Sequence, residues 1–191
     1  MVPILVVVAV VFAAGCTSAP EKEASQSSLK EQQHTEKASG VNVAGIQSLE
    51  SDIGTIEIDM PYATKLGEYS SGSSISLVKP GTTKPIISIN IWDTALYGSF
   101  NEFAESFIGT GHRLETMTTN DGKPMLFNTL QEGTDRDGNP NYTFRAAIDY
   151  SKEKGKYILM HAPNDVRYQG QTIATYTKDQ FVAISKSFVV K

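Results

Sequence analysis

The sequence predicts an α+β fold, an antiparallel β-sheet of about six or seven strands flanked by helices. Three observations carry that reading. From Thr55 onward, short segments place apolar residues at every second position, the period of a half-buried strand. The connections between them are mostly short and rich in Gly, Pro, Asn and Asp, and short loops join antiparallel neighbours. Two other segments repeat apolar residues at helical spacing, each behind a capping box.

Thr55–Met60 alternates Ile56, Ile58 and Met60 with Thr55, Glu57 and Asp59, and Pro61 ends it. Ser73–Lys79 and Ile86–Trp92 flank Pro80-Gly81-Thr82-Thr83-Lys84-Pro85 and read as a hairpin. Arg113–Thr119 and Pro124–Glu132 are joined by the turn Asn120-Asp121-Gly122-Lys123. Asn141–Tyr150 carries Tyr142, Phe144, Ala146, Ile148 and Tyr150 on one face, and Tyr157–Ala162 follows across the turn Lys152-Glu153-Lys154-Gly155. Asn164–Gly170 reads as a polar loop.

The first helix starts at the capping box Ser99-Phe100-Asn101-Glu102, and Phe100, Phe103, Ala104, Phe107 and Ile108 form its apolar stripe. Gly109 and Gly111 supply its stop. The second starts at Thr177-Lys178-Asp179-Gln180, with Tyr176 and Phe181 placed for a hydrophobic staple. Phe181, Ile184, Phe188 and Val189 form its stripe.

Residues 1–15, MVPILVVVAVVFAAG, are an apolar run that ends at Cys16, the chain's one cysteine. As a helix the core of that run spans roughly 20 Å, short of the ~30 Å hydrocarbon layer, so a transmembrane anchor is the poorer reading. The arrangement resembles a prokaryotic lipoprotein signal peptide, with small residues before a cysteine that takes the lipid. Ala13 stands where such signals usually have Leu, and no Lys or Arg precedes the run. The expectation is an exported protein anchored through Cys16 to the outer face of a prokaryotic membrane, in the cell envelope. Residues 16–45 are rich in Ser, Ala, Glu, Lys and Gln and read as a flexible polar tether that cannot bury enough surface to order itself. Residues 46–191 then form one domain, without a disulfide to stabilise it.

Lys and Arg number 17 against 21 Asp and Glu, a net charge of -4 spread without runs. That balance excludes nucleic acid as the expected partner, since phosphate backbones are met by basic patches. Within residues 46–191 no Gly-x-Ser-x-Gly elbow and no His-x-x-x-His or Glu-x-x-His pair occurs, so neither a serine hydrolase nor a zinc site is expected, and no cofactor is implied. His112 and His161 are read as packed or surface residues.

The order of strand, hairpin, helix, antiparallel strands and C-terminal helix is similar to that of the PsbP-like family. IEIDMPYA near the first strand, SFNEFAESF after the hairpin and DQFVAISKSF near the end carry the resemblance over most of residues 53–191. Tyr62-Ala63-Thr64 stands where that family usually has a tryptophan, and the chain's one Trp is Trp92. The resemblance implies an α/β/α sandwich and an accessory or partner-binding role rather than catalysis.

The polar cluster 135–141 places Asp135, Asp137, Asn139 and Asn141 at every second position, a weak candidate for Ca²⁺. Its glycine is displaced from the EF-hand position and Ala146 replaces the bidentate carboxylate, so a plain hairpin loop is the stronger reading. Asn141-Tyr142-Thr143 is an N-x-T sequon. Three functions remain open. The first is a non-catalytic anchored domain that binds or supports an envelope protein. The second is a ligand- or ion-binding lipoprotein using the 135–141 loop or a pocket near Trp92. The third is a hydrolase assembled from scattered residues such as His112, Asp93 and Asp149.

Overall fold

The structure, a computed structural model, describes residues 42–108, 114–134 and 138–191. Its centre is a fully antiparallel seven-stranded sheet. In spatial order it runs β3 (Lys65–Leu66), β4 (Ser74–Val78), β5 (Pro85–Asp93), β9 (Lys156–Pro163), β8 (Pro140–Tyr150), β7 (Pro124–Thr134) and β6 (Glu115–Thr118). A second sheet joins β1 (Gly45–Ser51), β2 (Gly54–Met60) and β12 (Val189–Val190), and β10 (Asp165–Tyr168) pairs with β11 (Gln171–Thr175). The helices are α1 (Phe100–Ile108), the single turn α2 (Ser151–Lys154) and α3 (Lys178–Lys186). A sheet-dominated α+β fold is thus what the alternating pattern produces.

Strand alternation sends successive side chains to opposite faces, and each face meets a different helix. On one face Leu126, Ala147, Tyr157 and Leu159 bury Phe103, Ala104 and Ile108 of α1. On the other, Met125, Phe127, Ala146, Ile148, Ile158 and Met160 join Ile56 and Ile58 of β2 with Phe181 and Ile184 of α3 in the larger core. Phe181 lies 5.8 Å from Phe144, ring to ring, and each fully buried side chain of this kind contributes about 1.5–3 kcal/mol.

Both helix starts follow the sequence reading. The Thr177 hydroxyl accepts from the Gln180 N–H while the Gln180 side chain accepts from the Thr177 N–H, a complete capping box. At α1 the Ser99 hydroxyl accepts from the Glu102 N–H. The stop expected at Gly109 and Gly111 lies outside the described residues, as do 1–41, which hold the apolar run and Cys16.

Four local expectations are corrected. β1 falls where the tether was expected to end and the domain to begin. Its pattern is inverted, since Gln47 is buried at 1% exposure and Ile46 is 74% exposed. The Gln47 amide tolerates burial because it donates to the carbonyls of Val43 and Tyr62 and accepts from the Thr64 hydroxyl. Phe188 and Val189 do not extend the second helix. α3 ends at Lys186, and β12 pairs with β2 through Val189 opposite Glu57, which satisfies the backbone in place of helical bonds. Residues 165–168 of the expected polar loop are a strand, returned by a turn in which Gln169 and Gly170 take φ of 50° and 82°. The turn after β8 is one helical turn closed by Gly155 at φ 65°.

Candidate functional site

α1 covers only part of its face of the sheet. At the level just beyond its C-terminal end, the register aligns Ser76, Ser88, His161, Arg145 and Asn128 as successive cross-strand partners on β4, β5, β9, β8 and β7. Directly paired residues share a face, so these five side chains form one polar row across five strands. One level nearer α1 the corresponding residues of β9, β8 and β7 are the apolar Leu159, Ala147 and Leu126.

Arg145 ties the row to the helix. Its guanidinium donates to the Phe107 carbonyl and reaches Glu132 at 3.4 Å. The Asn128 amide donates to the Ile108 carbonyl at 3.4 Å, so the row also satisfies carbonyls at the helix end. Burial, and next the positive charge of Arg145, hold the His161 imidazole below its ordinary range. His161 is therefore neutral near pH 7 and offers one ring donor and one ring acceptor.

Beside the row the surface opens into a cavity of about 680 Å³. Thr143 and Pro163, paired across β8 and β9, form part of its wall, and Asn164, Asp165 and Arg167 another part. Lys84 and Glu132 complete the charged lining. The Asp165 carboxylate pairs with Arg167 at 2.6 Å, and its second oxygen is buried without a hydrogen-bond partner among the described residues. Lys84, in the β4–β5 connection, pairs with no carboxylate among the described residues. Asn164 anchors the wall, its side-chain oxygen accepting from the Tyr142 N–H at 2.9 Å.

The residues singled out by sequence divide around this cavity. Asn141 lines it, opposite Gly133 on β7, while Thr143 of the sequon is buried. Asn139 is exposed nearby, and Asp135 and Asp137 lie outside the described residues, as does His112. Among the described residues no group of three His, Cys, Asp or Glu side chains could hold a metal ion. Asp93 and Asp149 serve backbone caps. Asp93 accepts from the Ala95 N–H, and the Lys156 ammonium together with that N–H holds its carboxyl below the usual range. Asp149 accepts from the Ser151 N–H at 2.8 Å. Trp92 packs against Phe107 at 4.9 Å and edge-on to Tyr97, with its indole N–H buried and without a partner among the described residues.

Sequence reasoning missed the row because its members are spread from Ser76 to His161 and only strand pairing brings them together. The signal available was a His interrupting the apolar run of Tyr157–Ala162 and an Arg between Phe144 and Ala146. Fold and site define a sheet-dominated α+β protein with a mixed-charge cavity beside a polar sheet face. No family model matches the sequence, and no curated protein matches it.

Proposed function

We propose that this chain is a non-catalytic, lipid-anchored extracytoplasmic domain that binds or supports another component of the cell envelope. The observation that carries the reading is the apolar run of residues 1–15 ending at the one cysteine, Cys16, followed by a polar segment before the folded domain. A diacylglyceryl group brings two acyl chains, enough for stable rather than marginal anchoring.

The resemblance to PsbP-like proteins supports the adaptor role. IEIDM lies in β2, FNEFAESF in α1 and DQFVAISK in α3, and the two longer helices pack on opposite faces of the sheet, as a sandwich of that kind requires. The capping duties of Asp93 and Asp149 weigh against a hydrolase built on them.

The test is a pull-down from crosslinked native membranes with the full chain as bait and Cys16→Ser as control. The expected result is lipid labelling of the parent alone and an envelope protein recovered with the anchored form. Equal lipid labelling of Cys16→Ser overturns the anchor. Recovery of the same proteins by both forms and by bare membranes overturns the partner role.

A second reading, a ligand-binding lipoprotein, is favoured by one observation. The 680 Å³ cavity is of the size that holds small ligands, about 300–1,000 Å³, and charged groups of both signs line it.

A further inference from the structure

We propose that the cavity beside the polar row binds a small zwitterion of the amino-acid or short-peptide class. The inference rests on the ligand-binding reading of that face and names its ligand.

The first ground is the sign and placement of the charges. Lys84 is an exposed ammonium at the rim with no carboxylate partner among the described residues, so an incoming carboxylate displaces no existing ion pair. Glu132 is half-exposed and, among the described residues, held only by a 3.4 Å contact with Arg145, which leaves oxygen capacity for an incoming ammonium. Asp165 adds a second carboxylate to the same lining. A dianion such as phosphate would gain from Lys84 and Arg167 but be repelled by Glu132 and Asp165, whereas a ligand carrying one charge of each sign is met by both sets.

The second ground is what surrounds those charges. Asn164, Asn141 and Thr143 supply neutral donors and acceptors to the same space, matching the amide groups of a peptide backbone. The neighbouring row continues that character onto the sheet through His161, uncharged near pH 7, and Ser88. A greasy ligand would cover these polar groups without offering them hydrogen-bond partners.

The experiment is calorimetric titration of the full chain in detergent with the dipeptide Ala-Ala, its N-acetyl form, its C-terminal amide and inorganic phosphate. Saturable binding of free Ala-Ala is expected, weakened at least about tenfold by capping either end, equivalent to ~1.4 kcal/mol. Lys84→Ala should weaken the free dipeptide while changing the amide little, and Glu132→Gln should likewise weaken the free dipeptide while changing the N-acetyl form little. Comparison of the capped probes on the parent chain keeps the test independent of either variant. Binding indifferent to both caps overturns the proposal. Phosphate binding that is lost in Lys84→Ala overturns the zwitterion class and leaves the ligand site standing. No saturable heat with any of the four probes overturns both.

Discussion

Arg145 and His161 stand directly opposite each other on β8 and β9, yet near neutral pH only the arginine is charged. Burial accounts first for the suppressed imidazole charge and Arg145 second. Because the folded chain lowers the His161 pKa from the ordinary 6.5, the unfolded chain takes up that proton more readily. The contribution of this site to stability is therefore fully present above about pH 6.5 and is lost as pH drops below it, until the folded state protonates as well. Urea midpoints measured from pH 8 to pH 5 should show this loss in the parent and a smaller one in His161→Gln. Parallel curves for the two proteins would refute the assignment.

Tyr150 links the end of β8 to the chain's last strand. Its hydroxyl donates to Asp121 at 2.9 Å and accepts from the Val190 N–H at 3.3 Å, while desolvation pushes its pKa well up. Tyr150→Phe keeps the ring in the core and removes both hydrogen bonds, at a cost of about 1–2 kcal/mol. Hydrogen exchange at the Val190 amide should quicken by more than the global loss of stability explains. Unchanged relative protection at Val190 would show that β12 does not depend on this hydroxyl.

Gly54 opens β2 at φ 121°, a region that side chains disfavour, and a Cβ there would stand 2.3 Å from the Lys191 carbonyl oxygen. Gly54→Ala therefore combines backbone strain with a clash against main chain. We expect a loss of about 1–3 kcal/mol, read as a fall of several degrees in Tm. Gly81→Ala is the control, because φ is 81° there but nothing lies within 4 Å of the added carbon. If both variants lose the same amount, strain alone is responsible and the Lys191 contact is irrelevant.

Phe181 is fully buried between α3 and the sheet, 5.8 Å from Phe144 and 6.3 Å from Phe127, ring to ring. Phe181→Ala should cost about 3–5 kcal/mol in a denaturant titration, as a large deletion in a packed core does. Phe107→Ala, on the half-exposed side of α1, should cost clearly less. The opposite ranking would mean that the α1 side dominates the core.

Helix starts and most strands were legible because their signals are local. A capping box and an apolar period need only a few neighbouring residues, as Thr177–Gln180 and Tyr142–Tyr150 show. β1 was illegible because its buried position 47 is a glutamine, and two of the three partners that make that burial tolerable, Tyr62 and Thr64, lie far along the chain. Phe188 and Val189 fit the helical stripe equally well, and their placement turned on pairing with Glu57 and Ile56.

By itself the sequence determined the antiparallel hairpins, the two capped helices and the single cysteine at the end of an apolar run. These depend on propensity and spacing, which act over a few residues. Tertiary structure alone decided that Ser76, Ser88, His161, Arg145 and Asn128 share one row and that Lys84, Glu132 and Asp165 line one cavity. Strand order and register set those neighbours. They follow from how the whole core packs, which no short segment of the chain encodes.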